Sequence, residues 1–117
     1  MQRIFYLASC STCARILKEL EPGKEVALRE IKSQGITAKE LDELKKISGS
    51  YESLFSRVAM KYRAMGLNNM QLTEDDYRRY ILEEYTFLKR PVIQVDNQVF
   101  IGNAKATVAA AKAALEK

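Results

Sequence analysis

Arg3-Ile4-Phe5-Tyr6-Leu7-Ala8-Ser9-Cys10-Ser11-Thr12-Cys13 is the stretch on which the fold turns. Residues 3–8 form an almost unbroken apolar run, the pattern of a strand buried on both faces. A polar turn, Ser9-Cys10-Ser11-Thr12, interrupts it, and Cys13, Ile16, Leu17 and Leu20 then recur at helical spacing. Glu21-Pro22-Gly23 stops that helix, and Val26-Ala27-Leu28-Arg29-Glu30-Ile31 reads as a second strand. Strand, helix and strand within about thirty residues define a βαβ unit, with parallel strands and a right-handed crossover.

Downstream the periodicity changes. Thr37 with Glu40 makes a capping box, and Ile36 with Leu41 its hydrophobic staple. Leu41, Leu44 and Ile47 mark a helix face ending near Gly49. Leu54, Phe55, Val58, Tyr62 and Met65 mark another, closed by Gly66. Thr73-Glu74-Asp75-Asp76 opens a third, with acidic residues where the helix dipole favours them, and Leu72 and Tyr77 as its staple. Tyr77, Tyr80, Ile81 and Tyr85 continue that face. Met60, Met65 and Met70 with Tyr62 read as core, as do most of the tyrosines of 77–85. Residues 33–88 are therefore expected to be all helical.

Strands return after Arg90-Pro91. Val92-Ile93-Gln94-Val95 runs out, Asp96-Asn97 turns, and Gln98-Val99-Phe100-Ile101 runs back. Gly102-Asn103 leads into an alanine-rich helix through Ala104–Leu115. The order β-α-β, three helices, β-β-α is that of a thioredoxin-like α/β fold with a mixed sheet. The expectation is one domain over residues 1–117 carrying a helical insertion at approximately 33–88.

Composition narrows the chemistry. The chain has 117 residues, two cysteines and no histidine or tryptophan. Without histidine, Ser-His and Cys-His catalysis and imidazole zinc sites are excluded. A metal site needs about four ligands, and two thiolates alone do not supply them. Apolar residues make up 47%, enough for a core, and no stretch has the 18 or so apolar residues of a membrane span. The net charge of +4, from 19 basic and 15 acidic residues, slightly favours anionic small molecules. It is too small and scattered to predict nucleic-acid binding. A lone Cys-x-x-Cys without a signal peptide points to a cytoplasmic thiol protein.

Cys10 and Cys13 are the expected centre. At a strand-to-helix turn, the unpaired amides of the first helical turn favour thiolate over thiol at Cys10. Cys13, one turn deeper, is placed to resolve a mixed disulfide on Cys10. The same amides, at Ser11 and Thr12, can hold an oxyanion. Arg90 can add a fork of donors to an anion beside Cys10, and Pro91 is a candidate cis peptide at the site. The competing reading has both cysteines as small buried residues and Arg90 as a solvated arginine before an edge strand.

The motifs Tyr6-Leu7-Ala8-Ser9-Cys10-Ser11-Thr12-Cys13, Leu88-Lys89-Arg90-Pro91-Val92-Ile93 and Val99-Phe100-Ile101-Gly102 resemble the arsenate reductase (ArsC)/Spx family. Leu54-Phe55-Ser56-Arg57 through Tyr62-Arg63-Ala64-Met65-Gly66-Leu67 resembles its central helical segment. The resemblance covers nearly the whole chain. It implies a thioredoxin-like oxidoreductase in which Cys10 attacks arsenate or a glutathione-linked substrate, with Arg57 and Arg90 as oxyanion ligands. It also implies glutathione as a co-substrate, with no bound cofactor, and glutaredoxin or thioredoxin as redox partner. The family's reductases use a third arginine after the last strand, where this chain has Gly102-Asn103-Ala104 and Lys105. They commonly lack a cysteine at the position of Cys13. Spx-type members do carry Cys-x-x-Cys, which implies the alternative of a redox-sensing regulator that binds the C-terminal domain of the RNA polymerase α subunit. Those members often place a basic residue after the second cysteine, where this chain has Ala14 and then Arg15. A monomer is expected, without direct contact to nucleic acid or membrane.

Overall fold

Strand β1 (Gln2–Tyr6) lies inside a four-stranded sheet of order β2-β1-β3-β4, in a computed structural model that describes residues 1–116. It pairs in parallel with β2 (Ala27–Glu30) and antiparallel with β3 (Val92–Val95). Strand β3 in turn pairs antiparallel with β4 (Gln98–Ile101) through the two-residue turn Asp96-Asn97. Asp96 adopts φ 52°, the left-handed conformation that tight hairpins require and that Asp tolerates. The sheet is thus mixed, and the fold is thioredoxin-like α/β. The first strand ends at Tyr6 rather than Ala8, and the second is shorter than residues 26–31. In both cases buried residues beyond the ladder, Leu7, Val26 and Ile31, extend the apolar pattern past the hydrogen bonding.

The chain divides into two compact units, Met1–Gly35 with Arg90–Lys117, and Ile36–Lys89. In the first unit, helices α1 (Ser11–Leu20) and α5 (Lys105–Leu115) supply the cover for one face of the sheet. Ile4, Ile93 and Val95 of the strands pack with Ile16 and Leu20 of α1, Val108 and Ala111 of α5, and Val26. Ile4 and Ile93 face one another across the β1–β3 ladder. Alternation sends Arg3 and Phe5 to the opposite side of β1, and Arg3, Ile4 and Phe5 are all buried. Arg3 donates from Nε and Nη2 to Gln94 Oε1, its neighbour in register, at 3.0 and 2.8 Å. Helix α1 ends on Glu21, which takes the left-handed φ of 47° and donates its N–H to the Leu17 carbonyl.

The second unit is built from α2 (Ala38–Ser48), α3 (Met60–Ala64), α4 (Glu74–Glu83) and short 3-10 turns at Glu52–Leu54, Leu67–Asn69 and Tyr85–Phe87. Helix α2 carries the predicted capping box: Thr37 Oγ1 accepts from the Glu40 amide and the Glu40 carboxylate accepts from the Thr37 amide. Helix α4 carries a second one between Thr73 and Asp76. Each box satisfies two of the amide donors that a helix start leaves open.

The segment between these helices departs from expectation. One helix over residues 54–65 is predicted, but Phe55 is extended and forms an antiparallel bridge with Leu88. Only Met60–Ala64 becomes α-helix. Leu54 and Phe55 are buried, whereas Val58 and Met60 are each 90% exposed, and Met65 and Met70 are about half exposed. The methionines are therefore not core. Aromatic rings fill that role: Phe55 lies 4.9 Å from Tyr77, 5.1 Å from Phe87 and 5.9 Å from Tyr62 between centroids. Spacing alone suggested one apolar face, but the backbone hydrogen bonds from Ser56 N–H to Phe87 and from Lys89 N–H to Leu54 divert the chain before it can coil.

Asp42 ties this unit together from its surface. Arg78 of α4 donates to both its oxygens, at 2.8 and 3.2 Å, and the Tyr51 hydroxyl donates at 2.6 Å. The Arg78 and Tyr51 hydrogen bonds hold the Asp42 carboxyl at about 2. A carboxyl depressed on folding stabilises the protein above its unfolded value and loses that contribution as pH falls toward the folded one. Asp42→Asn is expected to cost about 1 kcal/mol at pH 7, after solvent screening of a half-exposed pair. The difference from wild type should shrink between pH 4 and pH 2, measured by urea denaturation across that range.

Candidate functional site

Cys10 occupies the N-cap of α1, where β1 hands over to the helix, with extended φ −89° and ψ 113°. Its carbonyl accepts from the Ala14 amide and opens the helical ladder, while its own amide donates to the Leu7 carbonyl at 3.1 Å. No acidic residue lies in the first turn to oppose a negative sulfur. Cys13, one turn on, is fully buried, whereas Cys10 is partly exposed. Both are unbridged.

This asymmetry gives the two thiols different acidities. Burial pushes Cys10 up. Hydrogen bonds from the Cys13 amide, the Cys13 thiol and the Thr12 amide, with the positive charge of Arg90, outweigh it and leave Cys10 below the ordinary thiol value. Cys13 is pushed up to about 11, first by burial, then by donating its own thiol to Cys10 and by the negative charge there; the Leu7 amide and Arg90 only partly offset this. The arrangement favours the thiolate at the partly exposed Cys10 and keeps the proton on the buried Cys13 beneath it, whose thiol donates toward Cys10.

Arg90 arrives from β3. The ladder pairs Phe5 with Val92, so continuing the antiparallel register by one residue sets Pro91 beside Tyr6 and delivers Arg90 alongside the Cys10 loop. The Arg90–Pro91 peptide is cis, Pro91 is buried, and its carbonyl accepts from the Gly102 amide at 2.9 Å. Gly102 has φ +90°, which lets β4 leave the sheet at this point. Ser11 and Thr12 are the first two residues of α1, Ser11 exposed and Thr12 partly so.

The first unit thus brings together Cys10, Ser11, Thr12, Cys13, Arg90 and Pro91. Arg57 belongs to the second unit. There it donates to Glu52 and to the Tyr77 hydroxyl, and Glu52 first, then Tyr77, holds its guanidinium above the ordinary value. The Leu7 amide facing Cys13 is a site feature that sequence did not reveal, because a backbone donor six residues upstream leaves no mark in side-chain spacing. Among the described residues no group of three or more His, Cys, Asp or Glu side chains is arranged to hold a metal ion. No helix of the described residues is long and apolar enough to cross a membrane.

A thioredoxin-like sheet with a paired-thiol helix start and an arginine before a cis-proline defines a class of thiol protein. The ArsC family profile matches residues 5–111, and the chain belongs to the ArsC family. Solved structures share the fold. The YffB protein superposes with a TM-score of 0.78 at 19% identity, over 95% of this chain and 98% of that one. The arsenate reductase from Vibrio cholerae gives 0.74 at 21% identity, over 93% and 95%. An arsenate reductase (ArsC) related protein from Brucella melitensis gives 0.68 at 24% identity, over 93% and 92%. No curated protein matches the sequence.

The local electrostatics make a direct prediction. Cys10 is expected to react with iodoacetamide with a midpoint below that of the same cysteine in the unfolded chain, and Cys13 to stay unreactive until the protein is unfolded. Arg90→Met should move the midpoint upward and Arg90→Lys should largely restore it, both read by mass-resolved alkylation against pH.

Proposed function

We propose that the protein is a cytoplasmic thiol–disulfide oxidoreductase with Cys10 as nucleophile and Cys13 as resolving thiol. The supporting observation is the unequal pair: an acidified, partly exposed Cys10 and a buried, proton-retaining Cys13 one helical turn away. The Cys10 thiolate attacks one sulfur of a glutathione mixed disulfide, and the other sulfur leaves as a thiolate. Attack consumes the negative charge on Cys10, which removes one of the influences holding the Cys13 proton. Cys13 then gives its proton to a departing thiolate and attacks Cys10. The Cys10–Cys13 disulfide forms as the bond between Cys10 and the captured sulfur breaks, and that second half of the substrate leaves as a thiolate that takes its proton from water. Two electrons pass from the dithiol to the substrate, and two glutathione molecules, glutaredoxin or thioredoxin return them.

In this reading Ser11 and Thr12 present first-turn amides to an anionic group, and Arg90 orients it. Arg57 is a second oxyanion ligand in the family-based proposal. It would have to exchange its present partners Glu52 and Tyr77 for the ligand. Arsenate is the oxyanion to test beside the glutathione adduct.

Equilibration with glutathione buffers should give a reversible Cys10–Cys13 disulfide between about −270 and −200 mV. Cys10→Ser should abolish turnover in a coupled assay with a glutathione adduct or arsenate. Cys13→Ser should stall as a mixed disulfide visible by mass spectrometry. Full turnover by Cys10→Ser would refute the mechanism. A reversible disulfide without turnover on either substrate would instead favour a redox switch. The measurement for that reading is binding, in oxidised and in reduced buffer, to the C-terminal domain of the RNA polymerase α subunit.

A further inference from the structure

We propose that Glu30 is a positioning residue for Cys10, acting through the single peptide group that joins Leu7 to Ala8. The inference rests on the thiol chemistry proposed above and adds a residue to it. Glu30 is the last residue of β2 and pairs in register with Tyr6 at the end of β1. Past that pair the ladder gives out: the Ile31 amide still donates to the Tyr6 carbonyl, at 2.9 Å, but the next amide of the first strand's continuation needs another acceptor. The Glu30 side chain supplies it. Its Oε2 accepts from the Ala8 amide at 2.8 Å.

The same peptide group is held at its other end. Its carbonyl, that of Leu7, accepts from the Cys10 amide at 3.1 Å. One peptide plane is thus gripped by a carboxylate on its N–H and by the nucleophile's own backbone on its C=O. Donation to a charged acceptor polarises a peptide and strengthens the bond that its carbonyl accepts. The Cys10 backbone, and with it the direction of its sulfur toward the Thr12 and Cys13 amides, is set by this two-step chain.

The clamp is itself anchored. Glu30 Oε1 accepts from the Ser33 amide at 2.7 Å and the Ser33 hydroxyl at 2.8 Å. The Glu30 amide donates to Gln34 Oε1 at 2.9 Å, and the Gln34 amide returns to the Glu30 carbonyl at 2.9 Å. The carboxylate therefore bridges two loops and has little rotational freedom to lose. Its acidity agrees with that geometry: the Ala8 amide first, then the Ser33 amide, hold the Glu30 carboxyl below the usual carboxylate range.

The sign of the effect separates a positioning role from simple charge repulsion. As a bare negative charge, Glu30 would disfavour the thiolate, and removing that charge would lower the Cys10 midpoint. As a clamp it favours the thiolate, and removing the acceptor raises the midpoint. Glu30→Gln removes the charge and keeps an acceptor oxygen, whereas Glu30→Ala removes both.

The test is the pH profile of Cys10 alkylation in wild type, Glu30→Gln and Glu30→Ala, with the Cys10–Cys13 reduction potential of each. Glu30→Ala is expected to raise the midpoint by about half a pH unit, a roughly threefold lower rate well below the midpoint. Its potential should become more negative, because the reduced form loses stabilisation. Glu30→Gln should recover most of both. A Glu30→Ala midpoint unchanged or lowered, or a Glu30→Gln profile no better than Glu30→Ala, overturns the proposal. Should Glu30→Ala not fold, NMR of the wild-type protein decides: the Ala8 and Cys10 amide signals must both follow protonation of the Glu30 carboxyl, and an Ala8 or Cys10 amide indifferent to it overturns the proposal. A wild-type Cys10 with an ordinary midpoint would refute the thiol chemistry instead, while the Ala8 signal would still report whether the clamp exists.

Discussion

Everything at the site depends on the pairing of β1 on both its edges. Parallel bonding to β2 and antiparallel bonding to β3 leave β1 no free edge, and its side chains are buried on both faces. Such a strand has one register and one exit direction. Its exit is where Cys10 begins α1, and α1 is in turn fixed by Ile16 and Leu20 against Ile4, Ile93 and α5. The thiolate environment is therefore a by-product of sheet packing: the strand aims the cysteine, and the helix start supplies the amides.

The cost of this arrangement falls on the cysteines in opposite ways. Burial opposes charge on both, and only Cys10 receives enough donors to overcome it. Arg90 touches the electrostatics of both sulfurs, because it enters from the strand that lies antiparallel to β1. A more exposed pair would lose this contrast, since water would solvate either thiolate and the donors would count for less.

Much of the fold was legible because its signals are local. The apolar runs at 3–8 and 92–95, the two-residue turn Asp96-Asn97 and the Thr37–Glu40 box each depend on residues a few positions apart. The segment around Val58, Met60 and Met65 misled because an apolar period of about 3.6 records only what a helix would do if it formed. The bridge between Phe55 and Leu88, far apart in sequence, decided otherwise. At the site, residue types and spacing pointed to Cys10, Cys13 and Arg90. The backbone donors that act on the two thiols, and the Glu30 contact with Ala8, carry no side-chain signature and were visible only in three dimensions.

The antiparallel β1–β3 ladder also has a consequence in time. Cys10 and Arg90 lie far apart along the chain, and what joins them is a non-local strand pairing, among the later contacts a chain of this topology can form. On the ribosome the Cys-x-x-Cys emerges long before Val92–Val95 does. Until β3 docks, the nascent chain lacks Arg90's charge beside its two cysteines and the ladder that holds the helix start in place. The contrast in acidity between the two sulfurs is therefore a property the chain acquires on folding.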